Sequence, residues 1–331
     1  MQNRKKVVVI GGGTGTFVVL SGLKKYPLNL SVIVSMMDDG GSNRVIRDEF
    51  GLLPTSDLRQ CIVALADENE NKILRKLFTY RYSLGVGISG MTFGNLFMAA
   101  LTDIFKSQDR AIEETCNILH VKGNIIPVTF SDSHLVARYE NGKQVLGEHS
   151  IDEPGEKQGN FKIVEFELIP KAKANPKAIK EIKEADLIVI GPGDLYTSVL
   201  PNLVVNGIAK AIRTSKGKKL YVVNLMTRFG QTNDLSAKDH VYILQKYIKA
   251  KVLDYCLINN SNNFPKGILE RYKEEKAHPV LDDLENENEY KVIRKDFLSS
   301  KIYSKNLTDK LKRSLIRHDS DKLAKAIVDL I

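Results

Sequence analysis

The stretch Val7-Val8-Val9-Ile10-Gly11-Gly12-Gly13-Thr14-Gly15-Thr16 decides how the rest of the chain is read. Four consecutive β-branched residues make a strand apolar on both faces, and the glycines that follow turn the chain into a helix. Glycine suits such a turn because a Cβ would block close approach of a phosphate. The helix N-terminus adds unpaired N–H groups and a partial positive charge. Gly12, Gly13, Thr14, Gly15 and Thr16 are therefore candidate anion-binding residues, with Thr16 standing where the third glycine of G-x-G-x-x-G belongs. A tight strand-to-helix turn without ligand would carry the same residues.

A second run, Asp186-Leu187-Ile188-Val189-Ile190-Gly191-Pro192-Gly193-Asp194-Leu195-Tyr196-Thr197-Ser198, repeats the arrangement of strand, glycine turn and helix. Further strands are expected at Leu30 to Ser35, Leu220 to Val223 and Tyr255 to Ile258. Helices are expected at Thr16 to Lys25, Asn202 to Arg213, Ala237 to Lys249 and Leu269 to Glu275. Strands alternating with helices argue for a mostly parallel α/β sheet covered on both faces. In such sheets ligands sit in the crevice at the carboxyl ends of the strands, which is where both glycine turns fall. Gly94-Asn95, opening the apolar helix that begins near Leu96, offers further amide donors or a plain turn.

Two stretches interrupt the alternation. About 55–117 reads as a helical insertion. About 124–168 reads as β-hairpins at a sheet edge, with segments Ile125 to Thr129, Leu135 to Tyr139 and Lys162 to Leu168 broken by Asn141-Gly142 and Pro154-Gly155. No Pro/Gly/Ser-rich linker flanks either stretch, so residues 1–331 are expected to form a single domain. The charged region Asp282 to Arg313 resists assignment. The tail from Asp319 to Ile331 reads as an amphipathic closing helix capped near Asp319 or Ser320.

Asp38-Asp39-Gly40-Gly41-Ser42 follows the second strand. The two acids could hold a ribose, coordinate Mg²⁺ alongside Asp57, or accept hydrogen bonds within the turn itself. The chain of 331 residues carries 49 Lys+Arg against 40 Asp+Glu, a formal charge of +9, with 43% apolar and 7% aromatic residues. That composition excludes disorder, collagen and a disulfide scaffold as its main character. Cys61, Cys116 and Cys256 have no C-x-x-C spacing and read as buried reduced thiols. The six histidines show no metal-ligand spacing. Serine-hydrolase and P-loop motifs are missing. Lysines interleaved with acids, no Trp and no RNA-binding or zinc-finger pattern argue against nucleic acid. No apolar run is long enough for a membrane span, and a cytoplasmic location is expected.

As an ordered set the motifs resemble the YvcK-like gluconeogenesis-factor family, relatives of the CofD-type 2-phospho-L-lactate transferases. The resemblance rests on GGGTGT from Gly11, MDDGGSNRVIRDEFGLLPTSDLRQCIVALAD from Met37 and TFGNLFMAALT from Thr92. It continues in GPGDLYTSVLPNLVVNGIAKAI from Gly191, YVVNLMT from Tyr221, LERY from Leu269 and RHD from Arg317. It implies a Rossmann-like three-layer α/β/α fold that binds a UDP-sugar, typically UDP-N-acetylglucosamine, at the strand ends. It also implies a role in cell shape and cell-wall synthesis during gluconeogenic growth. The implied contacts are the two glycine turns, including Gly191, Gly193 and Ser198, together with Asn95, Asn224, Tyr272 and Arg317. A tyrosine ring can pack on a base and a guanidinium can pair with a diphosphate. Alternatively, Tyr272 anchors its own helix and Arg317 pairs with Asp319.

The chain departs from the family pattern at Asn43-Arg44, at Pro54-Thr55-Ser56-Asp57 and at Met91-Thr92, which replaces a His-Ser pair. At Asp194 an extra carboxylate stands near the expected phosphate. These departures favour a regulatory binding protein with cell-wall synthesis proteins as partners, with homo-oligomerisation left open, no catalytic residue and no organic cofactor. The alternative is a CofD-like transferase using Mg²⁺ on Asp38, Asp39 or Asp57. A nicotinamide-dependent oxidoreductase is supported only by the glycine turn and Asp38. Whether Ser320, beside the RHD motif, is modified stays open.

Overall fold

The computed structural model describes residues 4–67, 72–285, 289–301 and 314–331. The run at residue 7 forms β1 (Lys6–Gly11), flanked on one side by β2 (Asn29–Val34) and then β3 (Asn124–Pro127). A separate three-stranded sheet holds β4 (His134–Tyr139), β5 (Gln144–Leu146) and β6 (Ile163–Ile169). The chain then returns to the main sheet as β7 (Leu187–Ile190), β8 (Lys218–Val222), β9 (Tyr255–Asn259) and β10 (Lys291–Lys295). The main sheet has seven strands in the order β10-β9-β8-β7-β1-β2-β3, all parallel. Strand order therefore reverses between β1 and β7.

Alternation within each central strand explains why these runs are apolar throughout. Val8, Ile10, Ile188 and Ile190 enter a core that includes residues of the helices Pro176–Glu184 and Ala237–Ile248 and of the small sheet. Val7, Val9, Leu187 and Val189 enter a second core with the helices Gly13–Leu23, Ser56–Leu65 and Ser320–Val328. The arrangement is the three-layer α/β/α architecture expected. Phe166 of β6 meets Tyr196 edge-on, ring centroids 5.5 Å apart, and seats the small sheet on the turn that follows β7.

Several local expectations change. Ile125 to Thr129 is no hairpin strand: its first residues pair in parallel with β2 at the edge of the main sheet. Asn141-Gly142 does turn β4 into β5, whereas Pro154-Gly155 separates two short helices, Glu148–Asp152 and Gly155–Gly159. The helix after β1 starts at Gly13, earlier than its apolar periodicity suggests, because its first turn carries only glycine and threonine. Asn202 to Arg213 is not one helix. A π-helical turn Leu195–Val199 leads into Leu200–Leu203, and the chain breaks before Ile208–Thr214 so that Asn206 can exchange backbone bonds with Ala172 and Ala174. Within Asp282 to Arg313, β10 is an edge strand, and residues 286–288 and 302–313 lie outside the described residues.

The closing helix is capped as expected, since Asp319 accepts the N–H groups of Asp321 and Lys322. It crosses the helix Gly13–Leu23 at Gly22, where a Cβ would lie 2.7 Å from Ala324 Cβ and collide with the Ser320 carbonyl. Gly22→Ala should therefore push the two helices apart and cost about 1–3 kcal/mol, read as a lowered midpoint in urea unfolding.

Candidate functional site

Two glycine turns meet where the strand order reverses. Gly12 is extended and supplies no side chain to cap the helix Gly13–Leu23, so the helix's first N–H groups lack the cap that Thr92, Ser107, Asn175 and Ser236 give to other helices. The turn after β7 lies against this helix start. A Cβ on Gly15 would fall 2.6 Å from the Pro192 carbonyl carbon, and one on Gly13 would touch Ser198 Oγ at 3.5 Å. Asn202 links the two segments by donating to the carbonyls of Gly11 (3.3 Å) and Ser198 (3.0 Å).

The cleft at this junction is partly open to solvent, with a cavity volume of about 120 Å³. Of the residues expected from sequence, Gly13, Thr14, Gly15, Asp38, Asp57, Gly193, Ser198, Asn224 and Arg317 line it. Two backbone contacts place Arg317: its carbonyl accepts the Ser299 N–H, and its Nε donates to the Ser314 carbonyl at 2.9 Å. Its neighbour Asp319 is occupied as a helix cap.

Other expected residues are not on the wall. Gly12 and Gly191 lie behind it, and Thr16 is fully buried with its hydroxyl turned towards Gly11. Asn95 is fully buried too. It donates to Ser42 Oγ and Ser56 Oγ (3.1 and 3.2 Å) and accepts from Arg59 Nε (3.1 Å), while its backbone N–H bonds to Thr92. Asn95 thus joins the starts of the helices Ser42–Phe50, Ser56–Leu65 and Phe93–Phe105, and its amide is not offered to the cleft. Tyr272 accepts the N–H groups of Leu315 (3.0 Å) and Ile316 (3.4 Å) on its phenol oxygen. It lines a neighbouring cleft of about 350 Å³ that shares Asp152 with the first.

The paired acids resolve into structural bonds. Asp38 accepts the Gly40 N–H at 2.9 Å, within its own turn. Asp39 accepts the N–H groups of His149 (2.8 Å) and Glu148 (3.2 Å), and so caps the short helix Glu148–Asp152 delivered by the small sheet. Asp57 lies over Gly12, where a Cβ would come within 3.3 Å of its Cγ. Among the described residues no group of three or more His, Cys, Asp or Glu side chains is arranged to hold a metal ion. Asp38, Asp39 and Asp57 are thus not gathered into one preassembled cluster. Mg²⁺ often takes one or two carboxylates and completes its shell with phosphate oxygens, a role open to Asp38 and Asp57.

Carboxylates dominate the walls. Glu148, Asp152 and Asp194 join Asp38 and Asp57 in the cleft. Asp152 is held by Arg228, with Nε and Nη2 at 3.1 and 2.5 Å, and by Gln231 at 2.8 Å. Burial, and then the charges of Asp38 and Asp152, push the Glu148 carboxyl well above its ordinary range. Burial also raises Asp194, against the opposing pull of Arg228 and a hydrogen bond from Asn224 Nδ2 (3.3 Å). His318 is buried, which lowers it to about 4 and keeps it neutral. Among the described residues its Nε2 has no partner.

Glu148, His149, Asp152 and His318 were not among the expected site residues. The first three are brought to the cleft by long-range contacts, the Asp39 cap and the Arg228 and Gln231 bonds to Asp152, which leave no local signal. His318 stood beside Arg317 in the RHD motif and could have been proposed from it. The cysteines are all free, with Cys61 and Cys256 buried and Cys116 half-buried.

The profile of the family described as 2-phospho-L-lactate transferase CofD matches residues 7–298. The chain belongs to the CofD family. Within it, its similarity runs to gluconeogenesis factors. A putative gluconeogenesis factor of Thermoanaerobacterium thermosulfurigenes is 41% identical over 99% of this chain and 98% of its own length. The gluconeogenesis factor of Bacillus subtilis is 36% identical over 100% of this chain and 99% of its own. A crystal structure of a Bacillus halodurans protein assigned to the UPF0052 family superposes with a TM-score of 0.88 at 34% identity, covering 99% of this chain and all of that one.

A carboxyl group whose pKa is raised by folding costs nothing while protonated in both states. Its penalty grows as pH rises above the ordinary glutamate range and is complete above the raised value. Glu148→Gln should therefore melt at a higher temperature than the parent chain at about pH 8, with the difference vanishing near about pH 4. Thermal melts across that range check it.

Proposed function

We propose that the chain is a regulatory protein that binds a nucleotide sugar of the UDP-N-acetylglucosamine type. The observation that carries this reading is the closure of two glycine turns, from adjacent strands at the reversal of strand order, on one cleft that also holds Arg317. Amides of the uncapped helix start and of the turn near Gly193 suit a diphosphate, with Ser198, Asn224 and Arg317 as further donors. The ligand would extend past Asp152 into the second cleft, where the Tyr272 ring is available to the base.

The gluconeogenesis-factor names of its relatives support a role in gluconeogenic growth. To that role we add, as part of the proposal, control of cell-wall synthesis and cell shape exerted through a protein partner. The second reading is a CofD-like transfer of a phosphoester group from a nucleotide donor. The family profile and the acidic cleft favour it, with Asp38 and Asp57 holding Mg²⁺ against the donor phosphates.

Whichever reading holds, a diphosphate must contend with the carboxylates around it. Protonation of Glu148 and Asp194 or a bound divalent cation removes the repulsion, so affinity should rise as pH falls from the alkaline side and should rise on adding Mg²⁺. Isothermal titration with UDP-N-acetylglucosamine should show saturable binding, weakened at least about tenfold by Arg317→Ala with the melting temperature of the free protein retained. Unchanged affinity would remove Arg317 from the site, and no binding of any uridine nucleotide would end the reading. Mass spectrometry of the incubated mixture separates the alternatives: unchanged ligand supports a binding protein, and a Mg²⁺-dependent product supports a transferase.

A further inference from the structure

Between Glu70 and Asp103 the sequence contains no acidic residue, although it holds Lys72, Arg75, Lys76 and Arg81. This stretch forms the helix Lys72–Thr79, a protruding hairpin and the start of the helix Phe93–Phe105. In the first helix Leu74 and Phe78 face inward, Phe78 meeting Phe97 edge-on at 5.1 Å, which turns Ile73 and Leu77 outward. The hairpin stem is built by backbone bonds: Phe93 donates to Tyr80, Tyr82 to Met91, and Gly90 to Tyr82. Arg81 adds a bond from Nη1 to the Gly90 carbonyl at 2.6 Å. Tyr82 and Met91 pack with Ile46 and Ala99, fixing the stem to the body.

The tip of this stem carries Leu84, Val86 and Ile88 separated by glycines. Leu84 is 82% exposed, Val86 107% and Ile73 on the adjoining helix 75%. A bonded stem that holds Leu84 and Val86 in water, on a stretch of sequence that carries cations and no acid, is costly unless something apolar and anionic covers it. We propose that this hairpin tip and helix face form a docking surface for an anionic lipid bilayer, with Leu84, Val86 and Ile88 inserting among the acyl chains and Lys72 and Lys76 meeting the headgroups.

Two observations favour a bilayer over a second copy of the chain. A twofold contact would set the same cations against themselves. Moreover, a tip this exposed is convex, which suits insertion into a deformable layer better than burial against a like convex surface. Among the described residues no helix is long and apolar enough to cross a membrane, so contact would be peripheral.

Flotation of the full chain with extruded vesicles tests this. Vesicles of phosphatidylcholine with about 30% phosphatidylglycerol should carry the protein upward at low salt, and pure phosphatidylcholine vesicles should not. Replacing Leu84, Val86 and Ile88 by serine leaves the charge unchanged and should weaken binding at least tenfold. Lys72→Glu with Lys76→Glu should do the same and flatten the salt dependence. Thermal melts verify folding, and Val86→Ser alone serves if the triple variant melts early. The proposal is overturned by absence of binding to anionic vesicles, by equal binding of the serine variants, or by light scattering showing a self-association that those variants abolish.

Discussion

The site depends on backbone meeting backbone. Helix and turn touch at Gly15 and the Pro192–Gly193 segment, a contact in which a single methyl group would overlap main-chain atoms. Neighbouring parallel strands ordinarily send their following helices to the same face of the sheet. Here β1 and β7 straddle the reversal in strand order, so the helix after β1 packs on one face and the segment after β7 on the other, opening a crevice between the two turns, and the missing side chains let their backbones meet. Asn202 then fixes the spacing by bonding to carbonyls on both segments. The cleft is thus defined mainly by main-chain geometry, which a folded sheet holds rigid.

Around that rigid centre the charges are unbalanced. Five carboxylates line the cleft, of which Asp152 is neutralised by a bidentate guanidinium, and two of the others are pushed towards the protonated form. Such frustration is unusual in a merely structural hollow and common where a ligand, proton or cation completes the arrangement. It also separates this chain from a plain dinucleotide site, in which a single acid meets a ribose.

What could be read from the sequence followed from burial. The central strands are apolar on both faces and announce themselves. The edge strand β10, Lys-Val-Ile-Arg-Lys, is half solvated and carries cations that conceal it. The two glycine turns were legible because only one residue type tolerates their contacts. Asn95 looked like an amide donor at a helix start, yet its roles belong to a buried polar hub whose other members, Ser42, Ser56 and Arg59, lie far from it in sequence. The phenol of Tyr272 holds the backbone at Leu315 and Ile316, while its ring lines the second cleft and not the first. Glu148 and His149 had no local mark at all.

The bond from Asp39 to the helix Glu148–Asp152 has a further consequence. Both Asp39 oxygens are spent on backbone N–H groups, so one wall of the cleft is fastened by a carboxylate that takes no part in lining it. Removing that anion would strand the amides of Glu148 and His149, so the placement of the wall rests on a charge seated outside the hollow it shapes.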